Sequence, residues 1–396
     1  MTMRRNVQVL ALVGSGHAVS HLYLLALPPL FPLLRDDLGA SYAALGLLVT
    51  VFNIATGAAQ IPAGFLVDRF GARSLLLLGL AIMGTAMTAL GFAPSYWLML
   101  ALIALAGIGN SVFHPADYSI LNASVDPRRI GRGYSVHSVS GGLGYAVAPT
   151  VVVALAGQVG WRAALVTVGA IGLAVAGVLA TQLRGGIGRR EAEGHRSTVG
   201  HDVRLLLTAP ILSAFAYFAL IAAAMIGVQI FGITTLMRIY DTPLGLATWS
   251  LSAFLLGGGG GVIAGGFLAD RTRRHDAVAV AGLVVAAGFM LLLASGALAA
   301  SALPAVLAIA GFCHGVTGPS RDMLVRAATP PGSSGKVFGF VYSGLDLGSC
   351  LTPLALGWLL DHGDPRLLFV AVAVLMLVTI ATVVRVRRSV PEPAPA

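Results

Sequence analysis

The stretch Gly64-Phe-Leu-Val-Asp-Arg-Phe-Gly-Ala-Arg73 recurs 202 residues later as Gly266-Phe-Leu-Ala-Asp-Arg-Thr-Arg-Arg274. Each copy follows a long apolar run and ends in charged residues. A glycine, an aspartate and an arginine keep the same spacing in both copies. A charged motif that returns in the same position after an apolar segment indicates a duplicated unit.

A second set of matches extends the duplication at an offset of 204 residues. The matched pairs are Gly107 with Gly311, Pro115 with Pro319, Pro127 with Pro331, Gly131 with Gly335, Gly144 with Gly348, Pro149 with Pro353, and Arg162 with Arg366. Because the offset is nearly constant and the order is kept, the sequence predicts two equivalent halves.

The composition excludes a soluble protein. Of the 396 residues, 57% are hydrophobic and 10% are charged, and the mean hydropathy is +0.87. Soluble domains carry about 25% charged residues, so lipid is the solvent that suits this chain. The net charge is +9, and most of the charged residues lie between apolar runs. It therefore reflects membrane topology, and we predict no nucleic acid partner.

Runs without Asp, Glu, Lys or Arg are long enough to cross a bilayer, which takes about 20 helical residues. One run separates Arg5 from Arg35, and the next separates Asp37 from Asp68. Because the first is long and has no evident cleavage site, we interpret it as an uncleaved span rather than a signal peptide. The twelve predicted spans are 7–34, 42–66, 74–93, 96–124, 133–156, 163–183, 206–236, 244–268, 277–299, 303–327, 337–360 and 367–384.

The longest polar segment, 185–205, separates the two sets of six spans. We therefore predict an all-α integral membrane protein of twelve transmembrane helices. Its pseudo-symmetric six-helix halves are residues 1–184 and 206–396, and 185–205 is a cytoplasmic linker.

The basic residues predict the orientation. With a cytoplasmic N-terminus, nineteen of the 25 basic residues lie at cytoplasmic ends and loops, four lie on the opposite side, and two lie within span ten. The four on the opposite side are Arg35, Arg162, Arg238 and Arg366. Cytoplasmic loops are enriched in Lys and Arg, so we predict a multi-pass protein of a bacterial-type inner membrane with both termini cytoplasmic.

These motifs resemble the major facilitator superfamily over nearly the whole chain. Its loop motif, G-x-L-A-D-R-x-G-R-R, is matched at Gly64, Asp68, Arg69, Gly71 and Arg73. The weaker second copy is matched at Gly266, Asp270 and Arg271. The resemblance implies alternating access and a small-molecule substrate, commonly in a monomer.

The resemblance also implies a gating role for the loop motif on the cytoplasmic side. The glycine would allow close helix approach, the aspartate would cap a facing helix, and the arginine would bridge to an acid. Asp126, or alternatively Asp117, is the acid expected to pair with Arg73 or Arg69. The gating residues are Gly64, Asp68, Arg69, Arg73, Asp126, Asp270 and Arg271.

Two further segments resemble the fosmidomycin-resistance type of exporter. They are Gly107-Ile-Gly-Asn-Ser-Val-Phe-His-Pro115 and Gly141-Gly-Leu-Gly-Tyr-Ala-Val-Ala-Pro149. The second is similar to the glycine/proline motif of antiporters, which implies efflux by proton antiport. Ile103 stands where many drug–proton antiporters carry an arginine.

Histidines inside the spans are candidate solute ligands, since polar groups in lipid usually face a cavity. In this superfamily spans one, four, seven and ten line the cavity. They hold His17, His21, His114 and His314, while His137 lies in span five. His17 and His21 are four residues apart and share a helix face. Cross-helix bonding is the structural alternative. No spacing compels a metal site, and we predict no metal or other cofactor.

Charged residues inside the spans are the second group of candidates. Asp346 lies about 15 Å along span eleven. An acid at that depth needs a partner, such as Arg321, or a proton, so Asp346 is a candidate proton carrier. Asp117 is a candidate either for the gate or for proton coupling. Arg321 would favour an anionic substrate, or alternatively latch the halves by facing Asp117.

Four polar residues complete the candidate substrate site by offering hydrogen bonds. They are Asn53, Asn110, Gln229 and Tyr342.

The sequence thus predicts a secondary active transporter of a small organic solute, either drug-like or an anionic metabolite. It contains no nucleotide-binding motif, so we favour proton coupling through Asp346 and the histidines. The alternatives are an uncoupled facilitator or exchanger of a small anion, and an integral-membrane enzyme acting on a lipid. The repeat argues against the enzyme.

Overall fold

The computed structural model describes residues 3–125, 130–183, 204–330 and 334–389. Contacts between Cα atoms divide the chain into two compact units, Met1–Glu193 and Gly194–Ala396. Most of the predicted linker, 185–205, lies outside the described residues.

Seven α-helices form the described part of the N-terminal unit. They are α1 (Met3–Leu24), α2 (Phe31–Leu38), α3 (Tyr42–Phe70), α4 (Ala72–Leu90), α5 (Tyr96–Asn110), α6 (Phe113–Ser124) and α7 (Ile130–Gln182). A 3-10 turn, Pro28–Leu30, joins α1 to α2. Ser41 and Ser95 cap α3 and α5, because their hydroxyls accept hydrogen bonds from the Ala44 and Leu98 amides.

Six α-helices form the described part of the C-terminal unit. They are α8 (Ala209–Tyr240), α9 (Leu244–Arg271), α10 (His275–Ser295), α11 (Leu303–Ala327), α12 (Ser334–His362) and α13 (Arg366–Ser389).

The helices confirm the predicted all-α membrane fold. Ten helical segments among the described residues are long and apolar enough to cross a bilayer. One of them, Val136–Gln182, has 47 residues and breaks at Gly160, where φ is +80°. That break divides it into two lengths that each suffice for a crossing. The predicted spans all lie on described helices, although spans five and six share α7 and spans one and four are each divided between two helices. No strand occurs among the described residues.

Repeat-related glycines make the same contacts in both units. A Cβ on Gly144 of α7 would overlap the Ala18 carbonyl of α1, and one on Gly348 of α12 would overlap the Ala219 carbonyl of α8. The same relation holds for Gly107, which meets the Phe52 carbonyl, and for its counterpart Gly311, which meets that of Phe254. Because equivalent pairs of helices pack through equivalent glycines, the duplication in the sequence is a duplication of packing.

The glycine run of α9 is a packing surface. Added Cβ atoms on Gly257, Gly261 and Gly265 would each collide with backbone carbonyls of α11. These glycines are four residues apart and so lie on one helix face. The run therefore allows close contact between α9 and α11.

The loop-motif glycines do not make the expected close contact. A Cβ at Gly64 or at Gly266 would meet no described atom within 4 Å. In the second copy the preceding residue, Gly265, makes a close contact with the Val316 carbonyl, and its counterpart Ala63 is buried.

Candidate functional site

Span four is interrupted where the candidate residues lie. Helix α5 ends at Asn110 and α6 begins at Phe113, so a short turn separates them. Pro115 lacks an amide hydrogen, so it cannot donate to the carbonyl four residues earlier, at Ser111. Pro115 thus contributes to the break, which precedes Asp117 by less than two helical turns.

A buried cluster of one carboxylate and two imidazoles forms the centre of the N-terminal site. The Nε2 atom of His137 on α7 is hydrogen-bonded to Oδ2 of Asp117 on α6 at 2.9 Å. The Nδ1 atom of His17 on α1 lies 3.2 Å from the same oxygen. Asp117 is 0% exposed, and the two histidines are 2–3% exposed. We call His17, Asp117 and His137 the carboxylate–imidazole cluster.

The two imidazole rings of this cluster are stacked. The ring centroids of His17 and His137 are 3.6 Å apart at an angle of 25°. His21 lies beside His17 at 4.3 Å and meets Tyr145 at 4.4 Å. A Cβ on Gly141 would lie 2.8–2.9 Å from His21 Cε1 and His17 Nε2. The first glycine of the antiporter-like motif therefore makes room for both histidines.

The cluster has one exposed edge, formed by α6. His114 and Tyr118 are exposed and lie one turn apart on that helix. The His114 ring is 5.6 Å from that of His17, and the Tyr118 ring is 5.2 Å from that of His137. Polar rings thus connect the buried carboxylate to the surface of this unit.

The other predicted polar residues of this unit lie outside the cluster. Asn110 donates to the Thr56 hydroxyl at 3.4 Å, and Thr56 donates to the Gly107 carbonyl at 3.0 Å. This chain ties α5 to α3. Asn53 lies on α3 and is partly exposed.

Arg321 on α11 is the centre of the C-terminal site. Its Nε donates to Oδ1 of the neighbouring Asp322 at 2.9 Å. Its guanidinium carbon lies 4.1 Å above the ring of Phe218 on α8 and 6.0 Å from the ring of Tyr342 on α12. Phe218 and Tyr342 contact each other at 4.7 Å. We call Arg321, Asp322, Phe218 and Tyr342 the arginine box.

Asp346 does not pair with Arg321, although the sequence makes that arginine its expected partner. The adjacent Asp322 takes that place, because its carboxylate reaches the guanidinium directly. Asp346 is exposed on α12 and lies one turn after Tyr342, on the same helix face. The described residues include no ion pair of its carboxylate.

Two predicted residues of this unit are separate from the arginine box. His314 lies two turns before Arg321 on α11, about 10 Å away along the axis. Its Nδ1 is buried and has no hydrogen-bond partner among the described residues. Gln229 lies three turns after Phe218 on α8 and is partly exposed.

The structure describes contacts for two of the predicted gating arginines. Arg73 donates to the Ala180 carbonyl of α7 at 2.6 Å, and Arg69 lies 5.3 Å from the Phe70 ring. Asp117 is occupied by histidines and does not pair with either arginine. Asp126 and the side chain of Asp68 lie outside the described residues.

The second copy of the motif lies at the end of α9, where Asp270 and Arg271 are exposed. No side chain caps the N-terminus of the following helix, α10.

The sequence identifies most of these positions but not their partners. His137, Tyr118 and Tyr145 complete the N-terminal cluster, and Phe218 and Asp322 complete the arginine box. Two sequence features could have indicated these partners. His137 is a histidine inside an apolar span, and Asp322 is an acid next to an arginine within a span.

Comparison with known proteins identifies the family of the chain. Residues 13–248 and 219–396 match the model of the Major Facilitator Superfamily. The fold is similar to the crystal structure of a bacterial homolog of the human lysosomal transporter Spinster, in an inward-facing and occupied conformation. The TM-score is 0.82 at 17% identity, and the match covers 100% of both chains.

Two curated relatives carry functional names. The "Fosmidomycin resistance protein" of Escherichia coli (strain K12) is 23% identical over 391 residues, which cover 96% of this chain and 93% of that protein. The "Probable L-galactonate transporter" of the same strain is 29% identical over 140 residues. That second match covers 35% of this chain and 31% of the transporter, so it spans about a third of that relative.

Proposed function

Because the chain belongs to the Major Facilitator Superfamily, it is a membrane transporter of small solutes and not an enzyme, and we propose that it exports small organic anions in exchange for protons. The mechanism is alternating access, in which the two halves move relative to each other. The solute carries a carboxylate or a comparable acidic group.

The observation that carries this proposal is the arginine box. A guanidinium within a membrane span is costly, so it marks a functional site by default. Stacking on Phe218 at 4.1 Å holds the guanidinium plane in one orientation. Asp322 accepts a hydrogen bond from Nε and so fixes one edge of the guanidinium. Such a planar fork suits a carboxylate, a sulfonate or a phosphonate.

The names of the relatives support an anionic solute. Galactonate is a sugar carboxylate, and the chain shares 29% identity with a transporter named for it over 140 residues. The relative that matches over nearly its whole length is a resistance protein, which supports export as the direction.

Asp346 is the proposed proton carrier. Its carboxylate is exposed within the apolar helix α12 and has no ion-pair partner among the described residues. It shares a helix face with Tyr342, so it lies on the side of α12 that forms the arginine box. Protonation removes its charge, and a carboxylate that alternates between two states suits exchange of a proton for an anion.

The remaining proposed roles follow from the sequence. In the N-terminal unit, His114 is exposed and suited to hydrogen-bond a solute, with His17 and His21 behind it. The excess of basic residues at one set of helix ends supports cytoplasmic termini. We propose that the loop motifs gate the cytoplasmic side and that the transporter works as a monomer.

A paired-solute assay tests the anion proposal. Proteoliposomes with equal pH on both sides are offered labelled galactonate or galactitol, which replaces the carboxylate by a neutral hydroxymethyl group. We expect saturable uptake of acidic solutes, including simple sulfonates and phosphonates, and none of galactitol. Equal uptake of the neutral solute would contradict an anion site.

A further inference from the structure

The carboxylate–imidazole cluster has the donor set of a transition-metal site. His17 Nδ1, Asp117 Oδ2 and His137 Nε2 all lie within 4.8 Å of one another, and all three residues are buried. They come from α1, α6 and α7, so the site is formed by tertiary packing rather than by a local loop. We propose that this cluster binds one divalent transition-metal ion of the Zn²⁺ class.

The distances within the cluster suit such an ion. Zinc binds imidazole nitrogen and carboxylate oxygen at about 2.0–2.2 Å, so neighbouring ligand atoms of a tetrahedral site are about 3.4 Å apart. The observed separations from Asp117 Oδ2 are 2.9 Å to His137 and 3.2 Å to His17. An ion therefore needs small outward shifts of the ligand atoms together with rotation of one imidazole out of the His17–His137 stack, so that each ring points its nitrogen lone pair at the ion.

The chemistry of the donors selects the metal. Two imidazole nitrogens and one carboxylate oxygen are borderline ligands that favour Zn²⁺, Co²⁺ or Ni²⁺. Ca²⁺ and Mg²⁺ prefer sites built wholly from oxygen. The net charge also fits, because one carboxylate partly neutralises a divalent ion in a buried site.

Two buried atoms of the cluster have unused coordination capacity. His17 Nδ1 and Asp117 Oδ1 have no hydrogen-bond partner among the described residues. Buried polar atoms are almost always paired, because an unpaired one costs about 1–3 kcal/mol. A cation bound at Asp117 Oδ2 would accept the lone pair of His17 Nδ1 and so satisfy that nitrogen, and bidentate binding by the carboxylate would engage Oδ1 as well.

The surroundings supply an entry route and a further donor. His114 and Tyr118 form the exposed edge, and His114 lies 5.6 Å from His17 between ring centroids. A rotation of the His114 side chain would bring a third imidazole toward the open fourth position. His21 contacts Tyr145 at 4.4 Å beside the cluster, and both are partly exposed.

Metal binding would link three helices of the N-terminal unit. It would hold α1, α6 and α7 in one arrangement and thereby slow transport. This consequence for transport rests on the proposed function, whereas metal binding itself does not.

Cobalt spectroscopy tests the proposal. The full chain, purified in detergent and freed of metal with a chelator, is titrated with Co²⁺ and then with competing Zn²⁺. We expect one Co²⁺ per chain with visible d–d absorption that Zn²⁺ removes. Asp117→Asn and His137→Gln should each weaken binding by about 100-fold or more, since even outer partners of a metal site contribute 10–100-fold.

The matched control is His275→Gln. His275 in the C-terminal unit also has a buried, unpaired Nδ1, but it is not one of the grouped ligands. Its substitution should leave the Co²⁺ affinity within twofold. Circular dichroism of the helices and size-exclusion profiles establish whether each variant is folded. The better folded of the two cluster variants is used to compare Co²⁺ affinity with that of the unmutated chain.

Three results would overturn the proposal. They are the absence of stoichiometric binding, equal affinity in the folded cluster variants, or an equal loss of affinity in His275→Gln. The transport assay separates this proposal from the proposed function. If Co²⁺ binds as expected but no anion is transported, the metal site stands and the proposed function fails.

Discussion

Replacement of Arg321 by Gln is the substitution that most directly addresses the proposed anion site. A carboxylate bound by this guanidinium makes charge-assisted hydrogen bonds, each worth about 1.5–3 kcal/mol. Loss of one such bond, about 2 kcal/mol, corresponds to about a 30-fold rise in KM for an acidic solute. Arg321→Lys keeps the charge but loses the planar fork that stacks on Phe218, so we expect a smaller rise of about tenfold.

The assay is initial-rate uptake of labelled galactonate into proteoliposomes, with equal pH on both sides. Arg326→Gln is the matched control, because Arg326 lies on the same helix and is exposed beyond the arginine box. Size exclusion in detergent checks that Asp322, left without its partner, does not unfold the chain. An unchanged KM in the folded Arg321→Gln variant, or an equal rise in the Arg326 control, would refute the reasoning.

Three further predictions follow from the same contacts. Asp346→Asn should abolish proton-driven accumulation of solute, while solute–solute exchange continues. With one proton exchanged per solute, the intact protein should accumulate solute about tenfold per pH unit. Accumulation retained in the variant would exclude Asp346 as the proton carrier. Phe218→Leu removes the ring below the guanidinium and should raise the KM for galactonate about fivefold, from a loss of about 1 kcal/mol, whereas an unchanged KM would show that stacking does not orient the arginine. Gly144→Val forces a side chain into the Ala18 carbonyl and should lower the free energy of unfolding, measured by thermal unfolding in detergent, by about 1–3 kcal/mol. The control Gly142→Val should cost much less, because a Cβ at Gly142 meets no atom within 4 Å. Equal losses in the two variants would contradict the packing.

Much of the fold follows from the sequence because membrane spans impose simple constraints. Charge-free runs give the helices, since every backbone group in lipid must be hydrogen-bonded within its own helix. The repeated glycines indicate which helices touch, and Gly107 and Gly311 do meet equivalent carbonyls in the two units. The kink at Gly160 likewise lies in the gap between two predicted spans.

The sites were only partly predictable because their partners depend on helix rotation. Spacing alone places His17 and His21 on one face of α1, and in the structure their rings lie 4.3 Å apart at an angle of 51°. It does not reveal that His137, 20 residues after Asp117, points at that carboxylate, since their contact depends on how α6 and α7 pack. The pairing of Arg321 with its neighbour Asp322 was also missed.

The gating motif was predicted from family resemblance, and its role stays a prediction. Among the described residues, Arg73 donates to a carbonyl at the end of α7. Asp117, one of the two acids considered as partners, contacts two imidazoles, whereas the other, Asp126, lies outside the described residues.

The measurement that tests the central claim most directly is proton movement during anion transport. Proteoliposomes containing the protein and a trapped pH-sensitive dye are given an external organic anion such as galactonate. Proton–anion exchange predicts that the lumen becomes alkaline as labelled solute enters, and that Asp346→Asn abolishes the pH change. Entry of labelled solute without any change in luminal pH would contradict proton coupling and identify an uncoupled anion exchanger or facilitator.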